Sequence, residues 1–137
     1  MEIYSKKVNV SVKSDTLFNL LTNCNHFGKY IPNDKISDWQ STENSCSFSV
    51  AGAGKITMTI VKKIPFSAVV FSIGSAAAKE VNVVFHTDET NEDCCELYAE
   101  AAVELPFFMT QMLKNPLQKF MDTLIDCIKM ETEKNHS

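Results

Sequence analysis

The chain has no arginine. All 13 of its basic residues are lysines, set against 17 acidic residues for a formal net charge of -4. Arginine is the usual bidentate partner of phosphate and of guanine edges, so its absence from an acidic chain argues against nucleic-acid binding. Long apolar runs are also missing, and no window reaches the length of a membrane span, so no stable membrane anchoring is expected. The first residues, Met1-Glu2-Ile3-Tyr4-Ser5-Lys6-Lys7, carry charge where an export signal needs its apolar run, which predicts a cytoplasmic location. Cysteine is present but unpatterned. Cys24, Cys46, Cys94, Cys95 and Cys127 are an odd number at irregular spacings, which reads as reduced thiols rather than a disulfide framework. Repeats, low-complexity segments and linkers are lacking, so residues 1–137 are expected to form a single domain. A chain of that length buries about two-thirds of its unfolded surface. Its hydrophobic content of 45% excludes disorder as the main description.

The most organised stretch that is present runs from Pro106 to Met130. Met109, Met112, Leu113, Leu117, Phe120, Met121, Leu124, Ile125 and Ile128 fall at the i, i+3, i+4, i+7 spacing of one broad helical face. Lys114, Gln118, Lys119, Asp122, Asp126 and Lys129 occupy the opposite face. Such a helix is roughly 35 Å long at 1.5 Å per residue, and it needs a large apolar partner surface. Pro116 interrupts it. Asn115-Pro116-Leu117-Gln118 reads either as a kink or as the start of a second helical segment, with Asn as cap and Pro at the first position.

Most of what precedes this helix reads as β. Val8, Val10 and Val12 alternate with polar neighbours in a first strand over residues 2–13. Two short helical elements follow, one capped at Ser14-Asp15 and one over 23–34, broken by Gly28 and closed by Pro32-Asn33-Asp34. From Lys35 to Leu105 the pattern is a run of antiparallel strands. Cys46, Phe48 and Val50 alternate with serines, and Ile56, Met58 and Ile60 alternate with threonines. Val69, Phe71 and Ile73 follow, then Val81, Val83 and Phe85. After an acidic loop at 88–93 come Cys95, Leu97, Ala99, Ala101 and Val103. The strand at Ile36–Ser41 is the weakest, because Ile36 and Trp39 fall on opposite faces; it leaves open whether Ser37 or Asp38 points inward. One polar face per strand predicts an α+β protein with a single curved sheet of about seven strands, covered by the terminal helix.

That order of elements resembles the helix-grip fold of the SRPBCC superfamily: START domains, the Bet v 1-like family, and the polyketide cyclase/dehydrase and lipid-transport families. The resemblance extends over essentially the whole chain and is closest to small bacterial members. It is carried by Val8-Asn9-Val10-Ser11-Val12, Ser45-Cys46-Ser47-Phe48-Ser49-Val50 and Lys114-Asn115-Pro116-Leu117-Gln118. It implies an apolar cavity between sheet and long helix, with its mouth near the short helices and hairpin ends. The candidate lining is Tyr30, Phe48, Met58, Phe71, Phe85, Met109, Met112, Leu113 and Phe120, with Tyr30 supplying a hydroxyl near the opening. The competing expectation is that these residues simply close-pack as a core.

Signals of catalysis are weak. Gly52-Ala53-Gly54-Lys55 lacks the upstream glycine, the following Ser or Thr and the helix of a phosphate loop, and reads as a hairpin turn. Cys94 and Cys95 are adjacent on a strand and point to opposite faces, so they make a poor metal pair. Cys24 and His26 diverge on a short turn, His86 lies on an outward face, and His136 is near the end of the chain. The glutamates of the last strand and Asp122 and Asp126 are all expected outside the cavity. No metal or cofactor is expected. The leading expectation is binding of a small hydrophobic or amphipathic ligand by a monomer or weak homodimer. The alternatives are a cyclase, dehydratase or hydrolase of hydrophobic substrates, which needs two polar groups converging inside, and a closed-core interaction module docking through Phe107-Phe108-Met109.

Overall fold

The computed structural model describes residues 2–31, 36–50, 54–75, 78–102 and 107–136, apart from the side chains of 50, 75, 78–80, 107–114, 116, 117, 135 and 136. In order the elements are β1 (Glu2–Tyr4), β2 (Val8–Val10), α1 (Ser14–Leu21) and a 3₁₀ turn at Cys24–Lys29. Then come β3 (Ile36–Ser41), β4 (Ser45–Val50), β5 (Gly54–Ile64), β6 (Ala68–Ser75), β7 (Ala78–Asn91), β8 (Cys94–Ala102) and α2 (Phe107–His136). The described strands make one curved, unclosed antiparallel sheet in the order β1-β8-β7-β6-β5-β4-β3, with β2 also beside β8. This is the α+β arrangement that the alternating strand pattern predicts.

The alternation sets which face is buried. Cys46, Phe48, Met58, Val69, Phe71, Val83, Phe85, Cys95, Leu97, Ala99 and Ala101 all lie on the inner side and are buried. Each of the larger side chains contributes about 1.5–3 kcal/mol from burial. Phe27, Leu17 and Leu21, from the 3₁₀ turn and α1, complete the core at one end of the sheet. The expected cap at Ser14-Asp15 does not form. Lys13 occupies the cap position with no side-chain bond, and the Asp15 carboxylate instead accepts from its neighbour Thr16 N–H at 2.8 Å.

Two departures from the expected elements have local causes. The first strand is divided. Tyr4 faces Glu100 but Val8 faces Leu97, so three residues on one strand oppose two on the other, which is a β-bulge. Ser5 holds it: its N–H donates to the Ala99 carbonyl at 2.8 Å, and its Oγ accepts the Ala99 N–H at 2.8 Å. A second bulge resolves the conflict in β3. Register shifts between Ser37 and Gln40, with Asp38 in the left-handed region at φ 56. The extra residue lets Ile36 and Trp39 both pack against the core, while Ser37 and Asp38 stay exposed. Neither points inward. Finally, α2 continues through Pro116 as a single helical run, so Asn115 does not begin a separate helix.

The polar flank of α2 is not simply solvated. The Asp122 carboxylate accepts the Lys6 N–H at 2.7 Å, and Glu133 accepts the Ser11 N–H at 2.9 Å. Gln118 donates to the Tyr4 carbonyl at 2.6 Å, and Lys129 donates to the Asn9 carbonyl. Lys6 also pairs with Asp126 at 2.6 Å. These bonds occupy backbone groups that β1 and β2 would otherwise leave free at the sheet edge. They draw the helix against β1, β2 and β8 rather than over the middle of the sheet. Among the described residues no helix is long and apolar enough to cross a membrane.

Candidate functional site

Among the described residues, α2 leans on the β1–β2–β8 side and not on the inner face of β4 to β7. A cavity of about 560 Å³ remains between them. Its walls are Ile36, Phe48, Ile56, Met58 and Ile73 from β3 to β6, with Val81, Val83 and Phe85 from β7. Ala99 and Ala101 line it from β8, and Ile31 from the segment after the 3₁₀ turn. Lys119, Phe120, Met121, Thr123 and Leu124 line it from α2. The two alanines matter. On β8 they face the helix with the smallest apolar side chains, where leucine or phenylalanine would occupy the space.

Aromatic rings close one end. Phe27 meets Phe71 edge-on at 5.2 Å between centroids, and Phe71 meets Phe85 at 5.5 Å. Trp39 stacks on Phe48 at 5.8 Å, and Gly28 permits this: a Cβ there would sit 3.3 Å from the indole. The exposed lining residues, Lys119, Phe120 (46% exposed) and Thr123, all belong to α2, which puts solvent access beside the helix.

Of the candidate lining residues, Phe48, Met58, Phe85 and Phe120 border this cavity. Phe71 and Tyr30 do not. Phe71 is fully buried behind Phe27 and Phe85. Tyr30 is 3% exposed and edge-on to Phe27 at 5.2 Å, not at an opening. Burial pushes its phenol up to about 12. The side chains of Met109, Met112 and Leu113 lie outside the described residues, as do those of Phe107 and Phe108. Two polar residues also border the cavity, Lys119 and Thr123, although helical spacing alone places Lys119 on the solvent face.

The remaining candidates are scattered. Cys24 is wholly buried while His26 is half-buried, and they form no dyad. Cys24 and Cys46 are both buried in the core, and the neighbouring Cys24 thiol together with burial pushes Cys46 up. Cys95 is buried and raised to about 11 by desolvation, while Cys94 lies on the other face. His86 is on the outer face, stacked on Tyr98 at 4.5 Å and paired with Glu100 at 2.9 Å. Gly54, at φ 82, begins β5, so a strand and not a helix follows, while Gly52 and Ala53 lie outside the described residues. No Asp, Glu or His is among the described lining residues. No group of three or more His, Cys, Asp or Glu among the described residues is placed to hold a metal ion.

A curved antiparallel sheet gripping a long C-terminal helix, with an apolar space between them, is the helix-grip fold of START and Bet v 1-like proteins. Solved structures bear this out across the whole chain. Norcoclaurine synthase from Thalictrum flavum, as a point mutant in complex with a transition state analogue, superposes with a TM-score of 0.79 at 8% identity, covering 100% of this chain and 96% of that one. A START superfamily protein from Mycobacterium smegmatis gives 0.75 at 10% identity, with 98% of each chain covered. A conserved protein from Geobacillus kaustophilus gives 0.72 at 11% identity, covering 98% and 97%. Identities this low establish the fold alone. No protein-family profile and no curated protein sequence matches the chain.

Proposed function

We propose that the chain binds a small hydrophobic or amphipathic molecule in the cavity between the sheet and α2. One observation carries this reading: about 560 Å³ of space bounded by aliphatic, aromatic and methionine side chains. Pockets of roughly 300–1,000 Å³ with such linings are typical small-molecule sites. The driving force is burial of ligand carbon at about 25 cal/mol per Å², which is non-directional and favours broad selectivity graded by apolar area. Met58 and Met121 add walls that adapt to ligand shape. A fold neighbour offers indirect support, since norcoclaurine synthase is described in complex with dopamine and hydroxybenzaldehyde, both small aromatics. Acid–base turnover would need a second ionisable group converging with Lys119. The described lining residues supply none, which favours binding over chemistry.

Native mass spectrometry of protein purified gently from its own host tests the reading. The wild type should carry a co-purifying small molecule or take up added 1-dodecanol. Ala101→Phe, which puts a ring into the cavity, should do neither while keeping its circular dichroism spectrum. A wild type that is empty and takes up no apolar molecule would overturn the proposal.

A further inference from the structure

The cavity wall is apolar except at one place. Lys119 and Thr123 stand one turn apart on α2, a spacing that puts their side chains next to each other, and both border the cavity. Both are exposed, beside the half-exposed Phe120. The other charged side chains between Lys119 and Lys129 are engaged. Asp122 and Asp126 hold Lys6, and Lys129 is held by Glu133 and Asn9. Lys119 has no ion pair or hydrogen bond among the described residues.

Building on the binding reading, we infer that the ligand is an apolar monocarboxylate, seated with its tail between Phe48, Met58, Val83 and Phe85 and its carboxylate at the Lys119 ammonium and Thr123 hydroxyl. The physical reasons are these. A carboxylate drawn fully into the cavity would lose its hydration with no cation to replace it. Held at the mouth, it keeps water on one side and accepts charge-assisted hydrogen bonds from the ammonium and the hydroxyl on the other. The chain as a whole carries a net charge of -4, so its long-range field repels anions, and attraction has to be local. One lysine and one hydroxyl match one negative charge. A phosphate monoester, with nearly two charges and three acceptor oxygens, would be left under-satisfied.

The test is a pair of titrations, dodecanoate against 1-dodecanol. The reporter is the emission of the single tryptophan, Trp39, which stacks on the lining ring Phe48. Dodecanoate should bind the wild type more tightly than dodecanol. Lys119→Met should weaken dodecanoate about tenfold, the scale of a hydrogen bond to a charged group. It should leave dodecanol unchanged, and Lys119→Arg should restore dodecanoate binding. The exposed position makes misfolding of these variants easy to exclude by melting temperature. Equal affinities of acid and alcohol for the wild type, or equal weakening of both in Lys119→Met, would overturn the head-group assignment while leaving the apolar cavity in place. Failure of both molecules to bind the wild type would overturn the binding reading itself.

Discussion

Replacing Ser5 by alanine deletes the hydroxyl that accepts the buried Ala99 N–H at 2.8 Å and donates to the Lys6 carbonyl at 2.9 Å. At the bulge between β1 and β2 the Ala99 N–H donates to the Ser5 Oγ in place of a ladder carbonyl. Ser5 is 6% exposed and Ala99 is 2% exposed, which leaves little room for water to substitute. An orphaned buried donor costs about 1–3 kcal/mol. For a chain of this length the entropy of unfolding near the midpoint is about 0.3 kcal/mol per kelvin, so the melting temperature should fall by about 3–10 °C. Calorimetry of Ser5→Ala beside Ser5→Thr, which keeps the hydroxyl, is the assay. A Ser5→Ala midpoint within about 1 °C of wild type, the scale of an ordinary surface change, would refute the claim that the side chain holds the bulge.

Asp38 adopts φ 56, a conformation Asp tolerates and β-branched residues resist. Asp38→Val should therefore lose about 1–2 kcal/mol in urea unfolding while Asp38→Gly is neutral or better; equal losses would count against the bulge. Burial holds the Tyr30 phenol up at about 12, against about 10 in an unfolded chain. The neutral phenol's contribution is therefore full below about pH 10 and is lost as pH rises through about 12. Tyr30→Phe should flatten the decline of stability over that window; an unchanged slope would contradict the assignment. The Lys129 hydrogen bond, aided by the Ser11 N–H, holds the Glu133 carboxyl below its ordinary value. Its contribution is present above about pH 4.5 and lost as pH falls through the depressed pKa. Glu133→Gln should lose less stability than wild type on acidification, by a small amount because the group is partly solvated; acid titration followed by circular dichroism checks this.

Much of the architecture was legible in periodicity. Alternation in Cys46-Ser47-Phe48 and Ile56-Thr57-Met58 predicts which side chains share the inner face, and the pairs Cys46 with Met58 and Phe48 with Ile56 are register neighbours. Period alone does not show where a strand gains an extra residue. Ser5 is no breaker by type, and the bulge depends on a partner 94 positions away. In β3 there was a signal, because Asp is enriched at positive φ and an apolar pair on opposite faces needs one extra residue. The cavity lining was legible in part, since an inner-face position does not reveal whether it lies at the open or the closed end. Phe71 shares its face with Met58 yet is covered by Phe27. Lys119 was hidden for another reason. A helical wheel assumes that the helix sits squarely on the sheet. Side chains from Gln118 to Glu133 instead bind the edge at β1 and β2 and leave the Lys119–Thr123 stripe beside the opening.

The most direct measurement is a methyl-resolved NMR titration with 1-dodecanol, which has no charge and so tests the cavity independently of Lys119. Met58, Met121, Ile56 and Ile73 line the cavity, whereas Ile3 and Ile128 are buried away from it and Ile64 and Met130 are exposed. Saturable shifts at the first four and at the other lining methyls, Ile31 and Ile36 among them, with Ile3, Ile128, Ile64 and Met130 unmoved, are the predicted result. Shifts centred on Ile64 and Met130, or none anywhere, would contradict a ligand held between the sheet and the helix.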